Sequence, residues 1–330
     1  MKAKPADETY LFSNQDLKRL ILPLLVEQLL AITVGIADSI MVSSVGEAAV
    51  SGVSLVDTIF VLLINIFTAL ATGGAVVCGQ YLGKKRPEQA CQAADQLVLA
   101  TGILSILVMG LMYVLRTFIL NVVFGHIEPD VWNNCNIYFL IVSASIPFIS
   151  IYNAGAAIFR AQGDSKTPMK ISLLMNVINI IGNGILLYGF HFGVEGAAIP
   201  TLVSRMFAAV VILARAYKTD HVLHLTRPVV WKLHWPTLKK ILRIGVPNGL
   251  ENSMFQLGKI LVLSLVTQFG TAAIAANAVS NTIAVFQTLP GMAMGNAILT
   301  VCAQCVGANQ YGQVRYYTKK LIKLIYAGLV

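Results

Sequence analysis

Apolar runs of about 20 residues recur along the chain, separated by short polar connections. A membrane helix needs about 20 such residues to cross roughly 30 Å of hydrocarbon, so this alternation predicts spans at residues 17–42, 51–82, 96–115, 137–159, 168–190, 196–217, 238–267 and 278–306. A ninth run begins near Lys319 and the sequence ends at Val330 within it, too short to span. A polar leader, 1–16, precedes the first span. The longest connection, 218–237, reads as a linker with an interfacial segment anchored by Trp231 and Trp235.

Composition agrees with the pattern: of 330 residues, 56% are hydrophobic and 12% charged, against about 25% charged in soluble domains. The fold class expected is an all-α polytopic membrane protein. A formal charge of +9 would suggest nucleic acid in a soluble domain. Here the basic residues fall in alternate connections: Lys2, Lys4, Lys18 and Arg19; Lys84 to Arg86; Arg160, Lys166 and Lys170; 215–243; and 315–323. That asymmetry predicts a cytoplasmic amino terminus in a plasma (inner) membrane and no nucleic-acid partner. The first apolar run is long, contains Glu27 and lacks a cleavage site, so it is expected to remain as a helix. Five scattered cysteines make no disulfide framework, and Cys302 and Cys305, a lone C-x-x-C, read as inert thiols rather than a metal or redox site.

The chain also resembles itself. At an offset of 224, residues 17–90 align without a gap on 241–314, with 17 of 74 pairs identical, among them Pro23/Pro247, Glu27/Glu251, Gln80/Gln304 and Gly83/Gly307. Such self-similarity indicates a repeat. A repeat of six helices is even-numbered, so both copies run parallel and substrate sites lie between them. The expected organisation is a first six-helix lobe at 1–217, a cytoplasmic linker at 218–237 and an incomplete second lobe at 238–330, part of a twelve-helix protein.

Polar residues inside the spans carry the candidate chemistry. Ionisable groups at membrane depth cost a few kcal/mol, about 2.5–3.5 on insertion scales, and usually face a bundle interior or a wet cavity. Span 1 has two, Glu27 and Asp38, eleven residues apart and therefore on one stripe. Glu27 recurs as Glu251, which suggests shared architecture or a gate, whereas Asp38 aligns with Val262 and has no counterpart. Asn176, Asn179 and Asn183 form a narrow stripe on span 5, either interhelical glue or the wall of a hydrated pocket. Span 7 adds Glu251, Gln256 and Lys259, and span 6 adds Arg205; each reads as a structural pairing or a cleft contact. Met254 and Phe255 supply a soft aromatic cleft wall, and Asn153 joins the cleft or gate set. Asp57, near the start of span 2, reads as a cap or headgroup-facing residue, and Glu195 as a loop residue.

In order and spacing, LPLLVEQLLAITVGIADSIMV, TALATGGAVVCGQYLGKKRPEQA, FRAQGDSKTPM, GVEGAAIPT and IGVPNGLENSMF resemble the multidrug and toxic compound extrusion (MATE) transporters over the whole chain. The resemblance implies two six-helix lobes around a central cleft that export organic, often cationic, compounds in exchange for protons or sodium ions, with no other cofactor. It implies that Asp38 binds the coupling ion and that Asn179 and Thr201 are its polar neighbours. Asn183 stands where many members carry a second aspartate, which leaves proton against sodium open. Protonation or sodium binding at Asp38 would change the charge that the first lobe must hide and so bias span 1 between two packings. The complete protein is expected to be a monomer.

The alternative within transport is a lipid-linked oligosaccharide flippase of the same superfamily, which would place several basic residues in the cleft; the embedded cations here are Arg205 and Lys259. An intramembrane enzyme would need an H-E-x-x-H or a pair of catalytic aspartates on facing helices. Neither is read from the sequence, so no enzymatic activity is expected.

Overall fold

A computed structural model describes residues 10–123, 128–226, 232–267 and 271–329. Among them the secondary structure is helical. In order the helices are α1 (Asn14–Ser43), α2 (Glu47–Gly83), α3 (Pro87–Phe118), α4 (Pro129–Ser143), α5 (Ile146–Ala161), α6 (Lys166–Asn183), α7 (Glu195–Ala216), α8 (Trp235–Thr267), α9 (Thr271–Gly307) and α10 (Tyr311–Leu329). Among the described residues, six segments are individually long and apolar enough to cross a membrane, and α4 with α5 makes a seventh, bent by 46°.

Several starts have a local cause. Ser13 caps α1: its Oγ accepts from the Asp16 N–H at 3.1 Å, while Asp16 Oδ2 accepts from the Ser13 N–H at 2.9 Å, a reciprocal capping box. Prolines open α3, α4 and α5, where a missing N–H costs nothing. The span expected at 137–159 is therefore two helices. Pro147 in the first turn of α5 cannot continue the ladder of α4, and the chain turns at Ala144–Ser145. The ninth run likewise starts earlier than Lys319, at Tyr311.

Two apolar clusters are built mainly from α1 to α7, the first joined by Leu223 and Leu225 of the following connection and by Ile241 of α8. One gathers α2, α3, α5 and α7 around Leu97, Phe159 and Ile212; the other gathers α2 and α4 around Phe60, Phe67 and Phe139. A third, with Leu20, Leu24, Ala297, Val301 and Tyr317, packs the amino-terminal half of α1 against α9 and α10. The leader reinforces that contact: Leu11 N–H donates to Gln313 at 2.9 Å, Phe12 exchanges hydrogen bonds with the Tyr317 hydroxyl at 2.9 and 2.7 Å, and Lys320 bonds Asn14. Large apolar side chains such as Leu22, Ile40 and Val114 point outward, as lipid-facing surfaces do.

The repeat-related helices α2 and α9 cross through glycine. A Cβ on Gly83 would collide with the Gln304 carbonyl and come within 2.9 Å of Ala308 N; one on Gly307 would collide with the Gln80 carbonyl and come within 2.8 Å of Gln80 Cα. Gln80 pairs with Gln304 and Gly83 with Gly307 in the repeat, so the contact is self-reciprocal, as an isologous interface is. Small residues alone allow backbones this close.

The connection between α7 and α8 is fastened along its described part. Asp95 of α3 accepts from the Thr226 hydroxyl at 2.5 Å and its N–H at 3.0 Å. Gln96, 3% exposed, donates to Lys232 O at 2.9 Å and accepts from His234 N–H at 2.7 Å. Trp231 lies outside the described residues; Trp235 is exposed at the start of α8.

Candidate functional site

Beyond Ser172, helix α6 is apolar apart from three amides at helical spacing, and the fold turns that stripe inward: Asn176, Asn179 and Asn183 are 8%, 6% and 1% exposed. The approach of α7 is set by Gly182, where a Cβ would lie 2.7 Å from Pro200 Cβ. Asn179 Nδ2 then donates to Thr201 Oγ1 at 3.1 Å, and Thr201 donates to Ala197 O one turn back at 2.9 Å. Asn183 Nδ2 donates to Asp38 Oδ1 of α1 at 2.7 Å, with a longer contact to Asn179 Oδ1 at 3.5 Å. Immediately after Asn183 the backbone changes to a π-helical turn, Gly184–Gly189, a distortion that is common at functional sites.

Asp38, Asn183 and Thr201 line a cavity of about 130 Å³ between α1, α2, α4, α6 and α7. Asn179 supports it through Asn183 and Thr201. The four residues expected to hold a coupling ion are therefore in one hydrogen-bonded chain. Asn183 donates through its nitrogen, leaving its buried Oδ1 without a protein partner. A buried acceptor left in that state costs about 1–3 kcal/mol, so the pocket favours a proton donor or a cation there. The ligand atoms its side chains can offer a cation are oxygens, which suits a hard cation; no group of three or more His, Cys, Asp or Glu fit for a metal ion occurs among the described residues.

Asp57 also lines this cavity, with Tyr138. Helix α2 begins at Glu47 with Gly46 as its N-cap, so Asp57 lies three turns inside and caps nothing. The Tyr138 hydroxyl donates to Asp57 Oδ1 at 3.2 Å. Arg205 of α7 is anchored at the α4–α5 bend, its Nη1 donating to Ser145 Oγ at 2.7 Å, within electrostatic reach of both aspartates. The depth of Asp57 was the signal available in the sequence. Its position in an apolar run rich in leucine and isoleucine argued against headgroup contact.

The remaining candidates separate into two places. Glu27, 7% exposed, forms an ion pair with Arg160 of α5 at 2.5 Å and accepts from the Tyr152 hydroxyl at 3.4 Å; Tyr152 also donates to Pro168 O at 3.2 Å. It is a buried strut between α1 and α5, apart from both cavities. Asn176 is the buried first residue of the stripe but lies outside the cavity lining, and Asn153 is partly buried on α5 and lines neither cavity. Met254, Phe255, Gln256 and Lys259 of α8 line a larger, open cavity of about 1010 Å³, shared with Thr58 and Val61 of α2 and Thr288 of α9. Lys259 Nζ sits 4.9 Å from the Phe255 ring centre, a cation–π contact. Glu251 is exposed, outside that lining. Val262, the repeat partner of Asp38, lines the larger cavity, so the two copies present an acid and an alkyl group at equivalent positions.

Comparison with known proteins matches this architecture. The family profile named MatE matches residues 23–185 and 247–328. The chain is 27% identical over 316 residues to an uncharacterized transporter, YisQ, of Bacillus subtilis, covering 93% of this chain and 67% of YisQ. It is 29% identical over 287 residues to a probable multidrug resistance protein, YoeA, of the same organism, covering 85% and 62%. The chain thus spans about two thirds of the length of these relatives. A crystal structure of MATE in the bent conformation superposes with a TM-score of 0.87 at 23% identity, over 94% of this chain and 69% of that one. With two matched segments covering most of its length and a bundle of membrane-spanning helices of the same fold, the chain is an integral membrane protein that belongs to the MatE family of multidrug and toxic compound extrusion transporters.

Proposed function

We propose that the protein is a secondary active antiporter of the plasma membrane, with its amino terminus in the cytoplasm, that exports organic cations in exchange for a proton or a sodium ion bound at Asp38. The observation that carries this reading is the Asp38–Asn183 hydrogen bond of 2.7 Å, made across α1 and α6 at the wall of a small cavity. A carboxylate held by a neutral amide rather than by an adjacent cation keeps its charge available for an exchangeable ion. Glu27, by contrast, is committed to Arg160.

In the proposed cycle, binding of the ion neutralises Asp38 and weakens its call on the Asn183 amide. The π turn at Gly184–Gly189 gives α6 a place to bend in response. Such a step shifts α1 between two packings only as far as the ion binds one of them better. The larger cavity, with Met254 and Phe255 beside Gln256, suits flat apolar cations held without a fixed partner. Lys259 is the one charged group in the described lining of that cavity, and a single cation is too little to hold a pyrophosphate-linked lipid.

The test is uptake of a fluorescent organic cation into everted vesicles of cells expressing the protein, with an imposed proton or sodium gradient. Transport driven by one gradient and abolished by Asp38→Asn is expected. Gradient-driven transport that survives Asp38→Asn unchanged would refute the reading.

A further inference from the structure

We propose that Asp57 of α2 is a second carboxylate of the Asp38 pocket, and that the two acids, set against the single guanidinium of Arg205, hold one exchangeable monovalent cation between α1 and α2. The proposal rests on the reading of Asp38 as the coupling-ion residue and adds a partner to it from a different helix.

The pocket's inventory argues for this. Asp38 of α1 and Asp57 of α2 line the same cavity, together with Thr201 of α7 and Tyr138 of α4. Tyr138 donates to Oδ1 of Asp57, which leaves Oδ2 uncommitted to Tyr138 on a residue that lines the cavity. Asn183 has spent its amide hydrogens on Asp38 and Asn179 and keeps Oδ1 as an acceptor, buried to 1% exposure and without a protein partner. Two carboxylates, an amide oxygen and a hydroxyl are the ligand types of a hard cation. The volume, about 130 Å³, exceeds the roughly 10–15 Å³ that one water needs, so an ion can keep part of its hydration.

Charge decides the valence. Among the described residues, the charged or titratable groups facing the acids are Tyr138 on α4 and Arg205 on α7, with Lys259 of α8 in the neighbouring larger cavity beyond Thr58. Arg205 cannot lose its proton, and its bond to Ser145 holds it at the α4–α5 bend. Against one fixed positive charge the two acids leave one negative charge over. A proton or a sodium ion neutralises it; a divalent ion overshoots. Because Asp57 and Asp38 sit on different helices, the shared ion would also bridge α1 to α2.

The test titrates sodium chloride into the chain in nanodiscs by calorimetry at about pH 8 and about pH 5.5, with choline chloride as the blank and calcium chloride as the divalent arm. Wild type is expected to bind sodium more weakly at the lower pH. Asp38→Asn should abolish binding, Asp57→Asn should weaken it at least about tenfold, and Asp57→Glu should restore most of it. Monodispersity and melting temperature of each variant verify folding. Asp57→Asn binding like wild type, with Asp38→Asn inactive, would overturn the role of Asp57 and leave that of Asp38. Asp38→Asn binding like wild type would overturn both. Calcium binding tighter than sodium would overturn the single-charge assignment. If sodium gives no heat at either pH, proton uptake between about pH 8 and 5 is compared instead: Asp57→Asn should differ from wild type, and identical curves would refute the proposal.

Discussion

The Glu27–Arg160 strut offers the sharpest test of how this bundle is held together. Glu27 is 7% exposed and the pair closes at 2.5 Å, so truncating Arg160 to methionine leaves a carboxylate buried with only a long bond from Tyr152. Removing one partner of a buried pair costs about 3–5 kcal/mol, while replacing both with neutral groups of similar size is often close to neutral. Glu27→Gln should fall at the low end, because the Arg160 side chain keeps 21% exposure and can turn its guanidinium toward water. The double variant Glu27→Gln/Arg160→Met should then lose at least about 2 kcal/mol less than the sum of the singles, a coupling within the range measured for contacting residues. Equilibrium unfolding in mixed micelles with increasing dodecyl sulfate, read by tryptophan fluorescence, measures all four corners of the cycle. Additivity to within about 0.5 kcal/mol would refute the strut. Tyr152→Phe should cost no more than about 1 kcal/mol, since its bonds of 3.4 and 3.2 Å are long.

Other outcomes follow from the same geometry. Gly83→Ala and Gly307→Ala should each destabilise by about 1–3 kcal/mol in that unfolding assay, because the new methyl meets backbone rather than a movable side chain. Gly102→Ala, with nothing within 4 Å, should be neutral or stabilise by up to about 1 kcal/mol. Asn183→Leu should lower cation affinity at least about tenfold in the calorimetric titration, whereas Thr33→Val, which removes only a bond to Leu29 of its own helix, should leave it unchanged. Gln96→Ala removes two hydrogen bonds worth about 1 kcal/mol each. Trypsin cleavage after Lys232 should therefore rise roughly tenfold or more, if cleavage follows local opening.

The helical plan was readable from the amino-acid order because a lipid solvent leaves little choice: an apolar run of span length satisfies its backbone as a helix. The asparagine stripe was readable because three amides repeat at helical spacing, and Asp38 with Asn179, Asn183 and Thr201 does form one chain of hydrogen bonds. What escaped was pairing across helices. Arg160 lies in a connection rich in polar residues, FRAQGDSKTPM, and nothing local says that its side chain turns back to meet Glu27, 133 positions earlier. Asp57 was set aside by its nearness to an assumed helix start; moving that start to Glu47 moves the aspartate into the bundle. Hydropathy merged α4 and α5 into one span because it counts residues; the bend itself was legible in Pro147, which removes a backbone donor and interrupts the ladder.

The glycine crossing of α2 and α9 has a mechanical consequence. Two backbones in contact, with no side chain between them, form a bearing: one can turn against the other without any rotamer having to change. The bearing sits at the carboxyl-terminal end of each helix, and α2 runs on from it as a lever. By helical rise Asp57 lies about 39 Å from Gly83, so a tilt of about 10° there would carry the level of the Asp38 pocket through roughly 7 Å. A small rotation at one end of α2 would become a large displacement at the other, and the Asp38 pocket lies near the far end of the arm.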